Sequence, residues 1–131
     1  MTRYNVGDIE STEKGTGARA NLGKVDFTFV PLHLLAGTAR VLMKGSQKYA
    51  PWNWAKGMQW SICAGCLMRH FFKWWFCGEE CDKETGEHHL SHVIANALFL
   101  IHYSHTYQEG DDRPPVFADF ESELPELEKL L

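Results

Sequence analysis

The sequence lacks any apolar run approaching the roughly 18 residues that a membrane-crossing helix needs. Met1 to Gly7 contains no apolar stretch of the signal-peptide kind, so no secretory leader is expected and a reducing cytoplasm is the expected compartment. Cysteine is sparse, with four in 131 residues, and without a leader these read as thiols rather than a disulfide framework. The pairs Cys63/Cys66 and Cys77/Cys81 imitate a zinc pattern. The first pair falls inside an apolar helical stretch instead of on turns, which disfavours zinc. There is no GxxxxGK[ST] loop, no GxGxxG, no His-Asp dipeptide and no recognisable Ser or Cys nucleophile motif.

Acidic residues are missing from most of the front half. From residue 14 to 73 only Asp26 is a carboxylate, against Lys14, Arg19, Lys24, Arg40, Lys44, Lys48, Lys56, Arg69 and Lys73. The acids are concentrated instead in residues 79–87 and in a tail from Glu109 onward, and the whole chain carries a net charge of −4. A basic body inside an acidic total suits a small anionic ligand better than a long nucleic acid.

The length suits one domain, 1–131, with an arm over residues 1–24 and an acidic tail over 109–131. The expected class is all-α. Residues 25–30 read as a short strand or an extended lead-in. Leu32, Leu35, Ala39 and Leu42 repeat at helical spacing, which predicts a first helix from Pro31 to Met43, ended by Gly45. Residues 46–60 form an aromatic loop. Ser61 is the expected cap of a second helix running to Cys77, with an apolar stripe of Ala64, Leu67, Met68, Phe71 and Trp75. A third helix spans about Glu87 to Tyr107. Its predicted core face is Leu90, Val93, Ile94, Ala97, Leu98 and Ile101, with His89, His92 and Asn96 on the opposite side. A short helix is expected in the tail after Pro114 and Pro115. Helices carrying more apolar face than one subunit can bury point to a homo-oligomer.

Four features carry chemistry. Arg19, Lys24, Lys44, Lys48, Arg69 and Lys73 come from three segments and are candidate phosphate contacts, since guanidinium binds phosphate in a bidentate fork and ammonium as a point charge. Trp54 or Tyr49 can stack on a base, with Asn53 or Asn21 at its edge and His70 beside the basic set; the competing reading is that most of the tryptophans are core. Asp82, His89 and His92 can hold Mg2+ or Mn2+, or else form a hydrogen-bonded network that ties the acidic loop to the helix. Glu79, Asp82 and Glu84 are the candidate catalytic acids if the protein is an enzyme.

Several blocks together resemble a known family: Gly17-Ala18-Arg19-Ala20-Asn21-Leu22-Gly23-Lys24, Gly45 with Lys48-Tyr49, Asn53-Trp54 with Gly57, Arg69-His70, Trp74-Trp75, and Gly78 to Gly86 leading to His89-Leu90. These resemble the N-terminal region of phage dATP/dGTP diphosphohydrolases of the MazZ kind, over roughly residues 15–105. The resemblance implies a viral protein in the cytoplasm of an infected bacterium, a helical fold and a purine nucleotide ligand. All-α pyrophosphohydrolases of the MazG kind place paired acids on successive helices to hold Mg2+ against a triphosphate. Here neither the first nor the second predicted helix has a carboxylate. The leading expectation is therefore a purine-nucleotide binder that sequesters its ligand, a cyclic dinucleotide immune signal being one candidate. The alternative is hydrolysis of dATP or dGTP to the monophosphate and pyrophosphate with Mg2+ or Mn2+. A scaffold or inhibitor of a host protein, suggested by the acidic tail, is a third reading.

Overall fold

A computed structural model of the chain describes residues 7–114, 126 and 128–130. It divides into two compact units, Met1–Leu32 and His33–Leu131. In the first, residues 25–30 are not a strand. Asp26 accepts hydrogen bonds from the Thr28 backbone N–H at 2.9 Å and from its hydroxyl, and so caps a 3-10 turn, Phe27–Phe29. An Asx cap of this kind offers the backbone a local alternative to strand pairing. No strand forms among the described residues.

Across its continuously described stretch, up to residue 114, the second unit contains three α-helices: α1 (Ala36–Lys48), α2 (Trp60–Trp75) and α3 (His89–Thr106). Helix α3 is central and packs against both others, most extensively against α2. A 3-10 turn, Leu32–Leu35, precedes α1, so the regular helix starts later than Pro31. It also runs past Gly45. A glycine in a helix interior costs about 1 kcal/mol relative to alanine, which here does not stop the helix. The Gly45 carbonyl accepts from the Tyr49 N–H at 3.0 Å, closing the last turn. Helix α2 begins at Trp60 after Gln59, and Ser61 does not cap it. The Ser61 backbone N–H donates to Asp112 at 2.9 Å and its hydroxyl bonds the same carboxylate, tying the start of α2 to the segment after α3. Most of the tail in which a short helix is expected lies outside the described residues; Glu126 and Glu128 within it are helical.

The three helices occur where periodicity placed them, but the most deeply buried positions of α3 are polar, and the predicted apolar faces of α2 and α3 are only half-buried to exposed. Helix α3 buries His89, Ser91, His92, Ala95, Asn96 and Tyr103, while Leu98 and Ile101 on its apolar face are exposed, the latter by 59%. On α2 the predicted apolar stripe is split: Ala64 and Leu67 are half-buried, whereas Met68 at 65% and Trp75 at 62% are exposed. Among the described residues the fully buried apolar side chains are Cys63, Ala95 and Tyr103. The interior is a polar seam, and it is satisfied: no buried side-chain nitrogen or oxygen among the described residues lacks a hydrogen-bond partner. Asn96 donates to the His92 carbonyl at 2.8 Å and to Cys66 Sγ at 3.4 Å. Small residues bring α1 close to α3, where Thr38 donates to the Ser91 carbonyl at 3.2 Å and a Cβ on Gly37 would lie 3.2 Å from that of Ser91.

The far end of α3 anchors the aromatic loop. Tyr103 is fully buried and its hydroxyl donates to the Trp54 carbonyl at 2.5 Å. The Trp60 indole N–H donates to the Tyr107 carbonyl at 2.9 Å. The Tyr107 ring is clasped by two glycines. A Cβ at Gly57 (φ +98°) would sit 2.7 Å from the ring, and one at Gly110 would sit 2.5 Å from it. Gly57→Ala therefore combines left-handed backbone strain with a ring clash, and it is expected to destabilise the protein by about 2–4 kcal/mol in urea unfolding. A loss below the measurement error would show that the loop is not held by this clasp.

Candidate functional site

The acidic segment between α2 and α3 folds back on itself. Cys81 and His88 form an isolated antiparallel bridge, and the Asp82 N–H donates to the Glu87 carbonyl at 2.8 Å. The Asp82 carboxylate accepts from the Thr85 backbone N–H at 2.9 Å and from its hydroxyl at 3.1 Å. Burial works to raise Asp82, but these Thr85 bonds, with His92 and His70 behind them, outweigh it and hold the carboxyl below its usual range. The same Thr85 oxygen is 2.7 Å from His92 Nε2, so one hydroxyl joins the loop carboxylate to the α3 imidazole.

Helix α1 grips this loop with three cations spaced four residues apart. Arg40 Nε donates to Glu87 at 2.8 Å, and Lys44 reaches Glu87 at 3.6 Å and the Thr85 carbonyl. Lys48 meets Glu84 at 3.4 Å. The Arg40 guanidinium beside Glu87 keeps that carboxyl below its ordinary range. Part of the basic set is thus already paired with the acidic loop, because helical spacing aligns residues 40, 44 and 48 on one side of α1.

Beneath the loop three histidines converge from two helices. His70 of α2 and His89 of α3 place their Nδ1 atoms 2.8 Å apart. His89 Nε2 lies 3.0 Å from Glu79 Oε1, which draws the Glu79 carboxyl below its usual value. The His70 and His92 rings stack in parallel at 4.1 Å, inclined by 4°. Burial, then the neighbouring His92, lowers His70 to about 4, so it is a neutral imidazole near pH 7. Burial also lowers His92.

A cavity of about 510 Å³ opens beside this cluster. One wall is basic and acidic by turns, with Lys44, Lys48, Asp82, Glu84 and Thr85; His70, His92 and Asn96 line it from α2 and α3. The cavity lining also includes the aromatic residues Tyr49, Trp52, Trp54 and Phe99, and Asn53, with Lys48 Nζ 5.4 Å from the Tyr49 ring centre. Trp54 is packed inward, stacked on Phe99 at 4.7 Å and edge-on to His102 at 5.3 Å. Trp52 is its opposite, with φ +62° and 71% of its surface exposed. A bulky residue in left-handed backbone stores about 1–3 kcal/mol of strain, which natural sequences keep mostly at functional positions.

The structure thus gathers Lys44, Lys48, Tyr49, Asn53, Trp54 and His70 around one cavity. Arg69 and Lys73 are exposed on α2 and do not line it. Arg19, Asn21 and Lys24 belong to the first unit, where Arg19, Asn21 and Lys24 are exposed. Of the expected metal group, Asp82 and His89 come together with His70, and His92 Nε2 stands 3.9 Å from Asp82. Of the candidate acids, Asp82 and Glu84 line the cavity, while Glu79 sits behind His89. Helical spacing groups Asn96 with His89 and His92, and Trp52 belongs to the aromatic loop, but nothing in the sequence signals that Thr85 or Trp52 lines the cavity. The separation of His70 from the α3 histidines in the sequence reading came from the absence of any linear spacing that links two helices.

The model of a family described as "dATP/dGTP diphosphohydrolase, N-terminal" matches residues 14–113. A protein named dATP/dGTP diphosphohydrolase from Salmonella phage PMBT28 is 29% identical over 98 residues, which cover 75% of this chain and 33% of that protein. The chain therefore spans about a third of the length of the curated relative it matches. No solved structure matches. The chain belongs to the dATP/dGTP diphosphohydrolase N-terminal family.

Proposed function

We propose that the cavity of the second unit binds a purine nucleotide, with its phosphates toward Lys44 and Lys48 and its base against Trp52. One observation carries this reading: a single cavity of about 510 Å³ is lined by Lys44 and Lys48 together with an exposed, strained Trp52 and the Asn53 amide. That volume is typical of small-ligand pockets, and an aromatic face with a nearby amide is a standard way to stack and read a base. Bound phosphates would compete with Glu84 and Glu87 for the lysines, so ligand binding is coupled to the acidic loop. The expected ligands are dATP and dGTP, the nucleotides in the relative's name. Cyclic dinucleotides remain a second arm of the test.

Release of pyrophosphate is the second reading, favoured by the relative's name and by the Asp82 carboxylate on the cavity wall. Binding without cutting is favoured by α1 and α2, neither of which contains a carboxylate. Incubation with dATP, dGTP or a 3′,3′-cyclic dinucleotide, with and without Mn2+, followed by ion-exchange chromatography, separates them. Intact nucleotide retained by the protein supports the binder, and pyrophosphate supports the enzyme. Failure of every purine nucleotide to bind at millimolar concentration removes both.

A sharper check is Trp52→Gly. Glycine accepts φ +62° without a Cβ penalty, so unfolding free energy should stay within about 1 kcal/mol of the parent. Loss of the stacking ring should nonetheless weaken dGTP binding by roughly tenfold or more. Equal affinity in the two proteins would contradict the placement of the base.

The chain is also proposed to act as a homo-oligomer. The outward apolar residues Met68, Phe72 and Trp75 of α2, Phe76 at its C-terminal cap, and Leu98 and Ile101 of α3 support this, because few apolar side chains are buried among the described residues. Sedimentation at micromolar concentration should give at least twice the 15.0 kDa chain mass. A monomer there contradicts the proposal.

A further inference from the structure

We propose that His70, Asp82 and His89 form a binding site for one divalent transition-metal ion, with Glu79 orienting His89 from behind. The inference goes beyond nucleotide binding and does not depend on it. One ligand-type atom from each of these three residues lies within 4.8 Å of the others. First-row ions hold nitrogen and oxygen ligands at about 2.0–2.2 Å, so ligand atoms around one ion sit about 3–4 Å apart. Small side-chain rotations close that difference.

The proton arrangement supports the same conclusion. Two Nδ1 atoms 2.8 Å apart cannot both point lone pairs at each other; one proton lies between them, and an ion binding both nitrogens would displace it and spread them by a few tenths of an ångström. His89 Nε2 faces the Glu79 carboxylate at 3.0 Å, which fixes Nε2 as the N–H and leaves Nδ1 as the lone-pair nitrogen turned toward His70. A carboxylate behind an imidazole is the usual outer support of a histidine ligand, since it fixes the tautomer and raises the basicity of the ligating nitrogen. His89 has no exposed surface, so its orientation is set before any ion arrives. His70 is held by its stack on His92, and Asp82 by the two bonds from Thr85. Asp82 and His70 line the cavity, so an ion has a path in and keeps an open side toward a ligand there.

Two imidazoles with one carboxylate select Mn2+, Co2+ or Zn2+ over Mg2+, which prefers an all-oxygen shell. The paired acids that MazG-type enzymes use for Mg2+ have no counterpart on α1 or α2.

The test is a Co2+ titration of the purified full chain without nucleotide, followed by visible absorption and calorimetry. One Co2+ per chain should bind with a d–d band characteristic of nitrogen and oxygen ligands, and Mg2+ should not displace it. Asp82→Asn and His70→Asn should each weaken Co2+ binding at least tenfold. Glu79→Gln, which touches no ion, should weaken it by roughly 10- to 100-fold while the band persists. Circular dichroism of each variant separates lost binding from lost fold, and the half-buried His70 serves where a variant of His89 fails to fold. Absence of a stoichiometric Co2+ site, or affinity unchanged in folded Asp82→Asn and His70→Asn, overturns the proposal. Because no nucleotide is present, neither result depends on the nucleotide reading.

Discussion

The contact between His70 and His89 is the constraint around which the second unit is arranged. It joins α2 to α3 through two ring nitrogens 2.8 Å apart, at a depth where hydrocarbon would ordinarily sit. Buried polar groups are tolerated only when each finds a partner. The surrounding structure reads as a means of supplying them: Glu79 for His89, the His92 ring for His70, Thr85 for both His92 and Asp82, and the His92 carbonyl for Asn96. The acidic loop is therefore a structural part of the helical interface and not a mere connection between helices.

That arrangement explains the distribution of charge along the chain. The cations of α1 are spaced to meet the loop acids, so Arg40, Lys44 and Lys48 neutralise a segment whose own carboxylates would otherwise repel one another. The same lysines border the cavity. Their side chains stay substantially exposed, Lys44 by 45% and Lys48 by 61%, and ion pairs of exposed lysines contribute little to stability, which leaves them available to a stronger anion. A phosphate group entering the cavity would exchange one set of oxygens for another without leaving either lysine buried and alone.

Much of the secondary structure was legible in the sequence, and less of the site. Helical spacing located α1, α2 and α3, and it grouped His89, His92 and Asn96 on one face. It did not show which face turns inward. Periodicity measures the contrast between two sides of a helix, and the rule that the apolar side is buried fails when polar side chains satisfy one another inside. His70 illustrates the cost: it was grouped with Arg69 and Lys73 by neighbourhood in the chain, although one helical position separates the exposed Arg69 from a half-buried imidazole in the seam. Trp52 was hidden for another reason, since a left-handed tryptophan goes against local preference and can be recognised only from its backbone angle. The clasp of Gly57 and Gly110 on Tyr107 joins residues far apart in sequence and leaves no periodic trace.

The central claim is that the polar seam between α2 and α3 exists to hold a ligand and not only to join two helices. Long-range proton–nitrogen correlation of the histidine side chains during a Zn2+ titration tests it most directly. Large, saturable shifts of the Nδ1 resonances of His70 and His89 are expected at one equivalent, with His33 and His105 unmoved. Titration of all seven histidines together at excess metal, with His70 and His89 no different from the surface rings, would contradict it.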